Sequence, residues 1–192
     1  MRVGPVEASL LLPTRGVERG KPFDVGLLLR MDPGWHTYGR DPGDAGQPTE
    51  IAWELPPGFS AGPLHWPSDE TFTLGSVVSR GYKDEVLLIT TITPPAHAVP
   101  EPLVLRAEAS WIACSDQCMP GSAHLELAVP VSASPVAPEP AAAVLFAQAR
   151  ATLAGPAEAR PIAAPATLLG TLLTAMLGGL FLNLMPCVFP VI

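Results

Sequence analysis

Leu103-Val104-Leu105-Arg106-Ala107-Glu108-Ala109-Ser110-Trp111-Ile112-Ala113-Cys114-Ser115-Asp116-Gln117-Cys118-Met119-Pro120-Gly121-Ser122-Ala123-His124-Leu125-Glu126-Leu127-Ala128-Val129 is the stretch on which the fold turns. Apolar and polar side chains alternate through Leu103–Ala109, the period of a strand with one wet face. Ala123–Val129 is a second strand-like run. Between them lie two cysteines spaced C-x3-C. Residues four apart in an extended strand are about 13 Å apart at 3.3 Å per residue. A disulfide needs Cα atoms within roughly 7 Å. The pair can bridge only if the chain turns between them, and Ser115-Asp116-Gln117 is suitable turn chemistry, with Pro120-Gly121 bending the chain again. The sequence therefore allows a hairpin-tip disulfide joining strand Leu103–Ile112 to strand Ala123–Val129.

Upstream, Val6–Leu12, Phe23–Met31, Ile51–Leu55 and Val86–Thr93 read as further short strands. Asp32-Pro33-Gly34, Asp41-Pro42-Gly43-Asp44, Pro56-Pro57-Gly58 and Pro94-Pro95 punctuate them as turns. The expected fold is mainly β: an immunoglobulin-like β-sandwich over residues 1–131, followed by a short helix and one transmembrane α-helix. Four tryptophans, at 35, 53, 66 and 111, would supply much of its core or rim. The chain holds 24 Pro and 17 Gly, scattered between apolar runs as turn and edge markers rather than gathered in a disordered tract.

Downstream, Ser132–Pro140 is rich in Pro, Ala and Ser, and residues 132–166 read as a linker. Within it Ala141–Leu153 carries strong helix formers. Every charged residue of the 192 lies at or before Arg160. Thr167–Met185 is long and apolar enough to cross a bilayer core. Residues 167–192 are expected to be the first transmembrane helix of a membrane domain. No apolar leader follows Met1, and the sequence stops inside or at the edge of the membrane segment, so both ends read as cut: a mature domain without its export signal, joined to a membrane domain without its remaining helices.

Net charge is −7 with only 15% charged residues, which argues against a nucleic-acid binder and suits a protein that meets other proteins. The Cys114–Cys118 pair admits three readings. A bridge closing so few residues restrains the unfolded chain little, which suits a reducible, exchanging bond. An ordinary hairpin staple is the second. The third is a soft-metal site, with Cys114, Cys118, Met119 and His124 as donors for Cu(I); four zinc ligands of ordinary spacing are not seen. No Lys or Arg adjoins the pair, and Asp116 between the cysteines disfavours a thiolate, which leans toward a carrier rather than a strong oxidant. Cys187 lies in Asn183-Leu184-Met185-Pro186-Cys187-Val188-Phe189-Pro190. The flanking prolines break the helical ladder, so both a site and a plain anchor stay open.

Taken together, Asp32–Tyr38, Asp41–Gly46, Trp53–Phe59, Gly81–Leu88, Trp111–Gly121 and Asn183–Pro190 resemble the DsbD family of thiol:disulfide interchange proteins, and within it the ScsB-like branch linked to copper tolerance. The resemblance spans nearly the whole chain. It implies a protein-disulfide reductase of the bacterial inner membrane, related to proteins of cytochrome c biogenesis, with its N-terminal domain in the periplasm. Reducing equivalents would come from a membrane or thioredoxin-like partner and pass to disulfide-bonded envelope substrates, with no cofactor and no resident metal. Cys114 and Cys118 match the outer redox pair, Cys118 forming the mixed disulfide and Cys114 resolving it. Cys187 matches the first membrane cysteine. A cap loop is expected at Asp69-Glu70-Thr71-Phe72, with Phe72 over the sulfurs, and Trp35, Tyr38 and Trp111 as lining or plain core aromatics. The family prototype spaces its outer cysteines by five residues, against three here. The rival reading is a copper-binding module built on Cys114, Cys118 and Met119.

Overall fold

Alternate residues of Val6–Leu11 are buried, and this strand lies against Phe23–Met31, whose central run Val25–Leu29 is buried on both faces. Those two patterns require one sheet covered on one side and a partner layer on the other. The computed structural model describes residues 1–95 and 102–153. In chain order its strands are β1 (Arg2–Val3), β2 (Val6–Leu11), β3 (Val17–Glu18), β4 (Phe23–Met31), β5 (His36–Gly43), β6 (Glu50–Glu54) and β7 (Ser60–His65). There follow β8 (Glu70–Leu74), β9 (Val77–Lys83), β10 (Glu85–Thr93), β11 (Leu103–Cys114), β12 (Cys118–Val129), β13 (Val131–Ser132) and the helix α1 (Pro140–Ala151).

The strands form a sandwich. One sheet runs β1-β2-β4-β10-β7 and the other β12-β11-β5-β9-β8, with β6 also pairing to β11. Inner-face side chains of both sheets, among them Leu27, Leu29, Leu88, Leu105, Ala109 and Trp111, form a single core. The long hairpin β11–β12 pairs in unbroken register from Leu103↔Val129 to Cys114↔Cys118. Odd-numbered residues of both strands face the core, so even-numbered ones, both cysteines included, belong to the outer face.

The segment after β12 is tied down. β13 pairs in parallel with β3, and Arg15 and Glu139 exchange backbone bonds with Ala137 and Pro13. Helix α1 then lies on the outer face of the first sheet. Its fully buried Phe146 meets Leu28, Leu87 and Ile89, and Arg150 pairs with Asp24. Burying a Phe side chain stabilises by about 1.5–3 kcal/mol, enough to seat a helix of this length. At the helix end, Ser68 donates both its N–H and its Oγ–H to the carbonyl of Thr152, and Pro67 bridges Leu153. Tyr82 Oη also donates to the Pro67 carbonyl. The crossover from β7 in one sheet to β8 in the other is thus fastened to α1. Among the described residues no helix is long and apolar enough to cross a membrane. The apolar stretch 167–185 and Cys187 lie outside the described residues.

Candidate redox site

The site grows from the tip of the β11–β12 hairpin. Cys114 and Cys118 are register partners, the turn between them is closed by Ser115 N–H donating to Gln117 O, and the Cα atoms stand 4.1 Å apart, bridged as a disulfide. The two sulfurs have different surroundings. Cys114 is 2% exposed, whereas Cys118 is an exposed residue on the edge strand of its sheet.

The burial of Cys114 comes from the next strand. β5 meets β11 through Cys114↔His36 and Ala113↔Thr37. Tyr38, two residues on and so on the same face as His36, donates its hydroxyl to Cys114 Sγ at 3.0 Å and stands 4.0 Å from Cys118 Sγ. An outer-face tyrosine would ordinarily be wet, yet Tyr38 is buried, because the chain beyond β5 folds back over its ring. Gly46 makes that possible: at φ +100° it lies so close that a Cβ there would be 2.3 Å from the ring. Burial pushes the Tyr38 hydroxyl pKa up, which keeps it a protonated donor.

A row of rings leads away from the disulfide. His36 meets Tyr38 edge-on at 5.4 Å and Phe72 at 4.8 Å, and Lys83 places its ammonium 4.6 Å from the Phe72 centroid. Burial first, and Lys83 second, lower the His36 pKa, so the ring is neutral at pH 7. Three residues of the expected cap segment, Asp69, Glu70 and Phe72, make side-chain contacts here. Asp69 pairs with Arg80 at 2.6 Å and lies over Gly39, where a Cβ would collide with its carboxylate. Glu70 lies 3.7 Å from Lys83.

Of the residues singled out in the sequence, the structure brings together Cys114, Cys118 and Tyr38; Phe72 lies against His36, while Asp69 and Glu70 pair with Arg80 and Lys83. Trp111 points inward, 4% exposed, with its indole against Gly121, and Trp35 packs on the core. The expected soft-metal donors diverge. Met119 points away from its neighbour Cys118 along the strand, its Cε near Gly4, and His124 pairs with Glu108, six residues or about 20 Å further along β12. Among the described residues no three His, Cys, Asp or Glu side chains converge as a metal site. His36, Lys83 and Gly46 were not singled out. Reading residues 36–38 as a strand would have placed His36 beside Tyr38 by period-two geometry.

Chemically, the arrangement offers one accessible sulfur and one buried sulfur with a hydrogen-bond donor on it. A thiolate attacking Cys118 Sγ expels Cys114 Sγ, and Tyr38 stands where that sulfur's negative charge develops.

A family model described as thiol:disulfide interchange protein DsbD, N-terminal, matches residues 8–130. No curated protein matches the chain. Among solved structures, the N-terminal periplasmic domain of ScsB from Proteus mirabilis superposes with TM-score 0.53 at 23% identity, covering 77% of this chain and 52% of that one. The chain thus spans about half the length of that structure. The reduced DsbD N-terminal domain of Neisseria meningitidis aligns with TM-score 0.40 at 13% identity, over 63% of this chain and 83% of that one.

Proposed function

The chain belongs to the DsbD N-terminal family, and we propose that it relays reducing equivalents in the bacterial periplasm by exchange at Cys114–Cys118, anchored to the inner membrane through residues 167–192. The observation that carries this reading is the unequal pair: an exposed Cys118 disulfide-bonded to a buried Cys114 that accepts the Tyr38 hydrogen bond. A thiolate of a thioredoxin-like partner attacks Cys118 Sγ. The Cys114–Cys118 bond breaks, its electron pair leaving on Cys114, while Tyr38 donates to that sulfur. The partner's second thiolate then attacks the mixed disulfide and releases Cys118. Two thiols of the partner become a disulfide, and the pair here becomes two thiols with protons from solvent. The dithiol repeats the chemistry in reverse on an envelope substrate: Cys118 attacks, Cys114 resolves.

Residues 1–131 form the redox domain in this reading, and residues 132–166 link it to the membrane segment, where Cys187 serves as one of the intramembrane carriers. Asp69, Glu70 and Phe72 act as the cap beside the pair. The ScsB-like branch, and with it a role in copper tolerance, is favoured by the sequence motifs around both sets of cysteines.

The test is the reduction potential of the Cys114–Cys118 couple in the full chain, held in detergent and equilibrated in dithiol buffers. A value of about −180 to −270 mV is expected, the range of thioredoxin-like carriers. A value well below about −300 mV marks a structural bridge and overturns the relay. In parallel, Cys114→Ser should accumulate a mixed disulfide with a thioredoxin-like protein, and Cys118→Ser should form none.

A further inference from the structure

The outer face of β11–β12 continues past the disulfide into a groove of about 700 Å³. Ile112 and Pro120, register partners one strand period below Cys114 and Cys118, form its near end, about 7 Å away at 3.3 Å per residue. Ser110 and Ser122, the next outward pair, form its floor. Gln47, Pro48 and Glu50 wall it on the side away from β12. The groove has a topological cause. β6 pairs with β11 only as far as Ser110↔Glu50, and β5 begins at Ala113↔Thr37, so β11 has a gap in its flank at Trp111 and Ile112. The chain between β5 and β6 passes over Tyr38 at Gly46 and reaches the groove only at Gln47 and Pro48, on its wall.

Resting on the exchange reading above, we infer that this groove seats the extended stretch of acceptor polypeptide that flanks the acceptor's reactive cysteine, and that it favours lysine or arginine there. A partner joined to Cys118 by a mixed disulfide must lay its adjoining residues over one side of the hairpin tip. On the other side stand the Phe72–His36–Tyr38 row and its paired charges. The groove side is open, and two small serines leave room for an extended chain. Its charges are acidic: Glu50 on the wall, Glu108 beyond the floor and exposed Asp116 at the tip. A cationic side chain next to the reacting cysteine gains from these; an acidic one is repelled.

The test uses the full chain in detergent, reduced and freed of reductant. It is mixed with short peptides whose single cysteine carries a 2-thiopyridyl disulfide, flanked by lysine, glutamine or glutamate. With Cys187 replaced by serine in the parent and in every variant, release of 2-thiopyridone reads the attack of the hairpin pair, through its exposed Cys118, on the peptide. Lysine-flanked peptide should react about ten-fold faster than glutamate-flanked peptide at low salt, and the ratio should fall toward one at about 0.5 M salt as the charges are screened. Glu50→Gln should lower the ratio at least two-fold, while Glu7→Gln on the opposite sheet leaves it unchanged. Ser122→Phe, which fills the floor, should slow all three peptides at least five-fold and leave the rate with dithiodipyridine, a small disulfide with no flanking chain, unaltered. Equal rates for the three peptides, or a Ser122→Phe variant as fast as the parent on all of them, would overturn the groove assignment. If the parent chain fails to reduce even dithiodipyridine, the exchange reading itself fails.

Discussion

Replacing Tyr38 with phenylalanine removes one oxygen and keeps the ring that Gly46 covers. The lost interaction is a hydrogen bond of 3.0 Å to Cys114 Sγ between two buried groups. While the sulfur is part of the disulfide the bond is neutral and contributes about 1 kcal/mol, but once the sulfur leaves as a thiolate it is worth about 1.5–3 kcal/mol. The difference, about 0.5–2 kcal/mol, is felt in the transition state, and at 1.36 kcal/mol per decade it corresponds to about a 2–30-fold slower attack on Cys118. Because burial raises the Tyr38 pKa, the donor is intact from pH 6 to 9, and the loss should be the same across that range. The assay is stopped reduction by a dithiol at several pH values, trapped by alkylation, on the full chain and its Tyr38→Phe variant. Both end states keep a sulfur facing the ring, so the reduction potential should move by less than about 15 mV, half of the 30 mV that 1.4 kcal/mol represents. A rate within two-fold of the parent, accompanied by a loss of thermal stability, would refute the argument and reduce the hydroxyl to packing.

Other consequences follow from the same geometry. Gly46→Ala sets a Cβ against the Tyr38 ring at a positive φ, and should cost about 1–3 kcal/mol in denaturant unfolding while raising dithiol access to Cys114. Phe146→Ala empties the seat of α1 and should cost about 3–5 kcal/mol; if α1 steadies the crossover at Ser68, amide exchange over residues 68–72 should quicken as well. His36 has a lowered pKa in the fold against its ordinary 6.5, so the unfolded chain takes up the proton first. Its contribution to stability is therefore present above about pH 6.5 and lost as the pH falls toward the folded value. Thermal melts from pH 5 to 8 should show this slope, and His36→Phe should flatten it.

The strands richest in branched and alternating side chains could be read from the sequence: Phe23–Met31 coincides with β4 and Val86–Thr93 falls one residue short of β10, but Leu103–Ile112 and Ala123–Val129 stop short of the hairpin tip, where β11 runs on to Cys114 and β12 starts at Cys118. Turn chemistry allowed a hairpin-tip disulfide without requiring one, the family resemblance implied it, and the structure forms it. What escaped, besides the two-residue strands β1, β3 and β13, were β5, β7, β8 and β9, and with them half of the site. Their glycines and prolines looked like turn markers. In the fold, several of those glycines are there because strands come too close for a side chain. A Cβ at Gly81 would fall 1.9 Å from the Thr37 carbonyl oxygen, and one at Gly43 would meet the Val78 carbonyl at 2.4 Å. Close approach between β5 and β9 is a property of two strands together, and no window along one strand contains it. The same holds for His36, whose meaning depends on Phe72 from a strand that its sequence did not announce.

The fastening of Thr152 and Leu153 to Ser68 and Pro67 also decides where a mechanical load would enter the molecule. Tension applied along the chain at Leu153 passes into the Pro67 bridge and the two Ser68 bonds, and Asp69 is the very next residue. Those bonds are stretched before Phe146 is drawn from its seat. A tug from the C-terminal side would thus arrive at the ring row beside the disulfide ahead of the core, and in a single-molecule pulling trace the first yielding event should be a small one, located at the crossover.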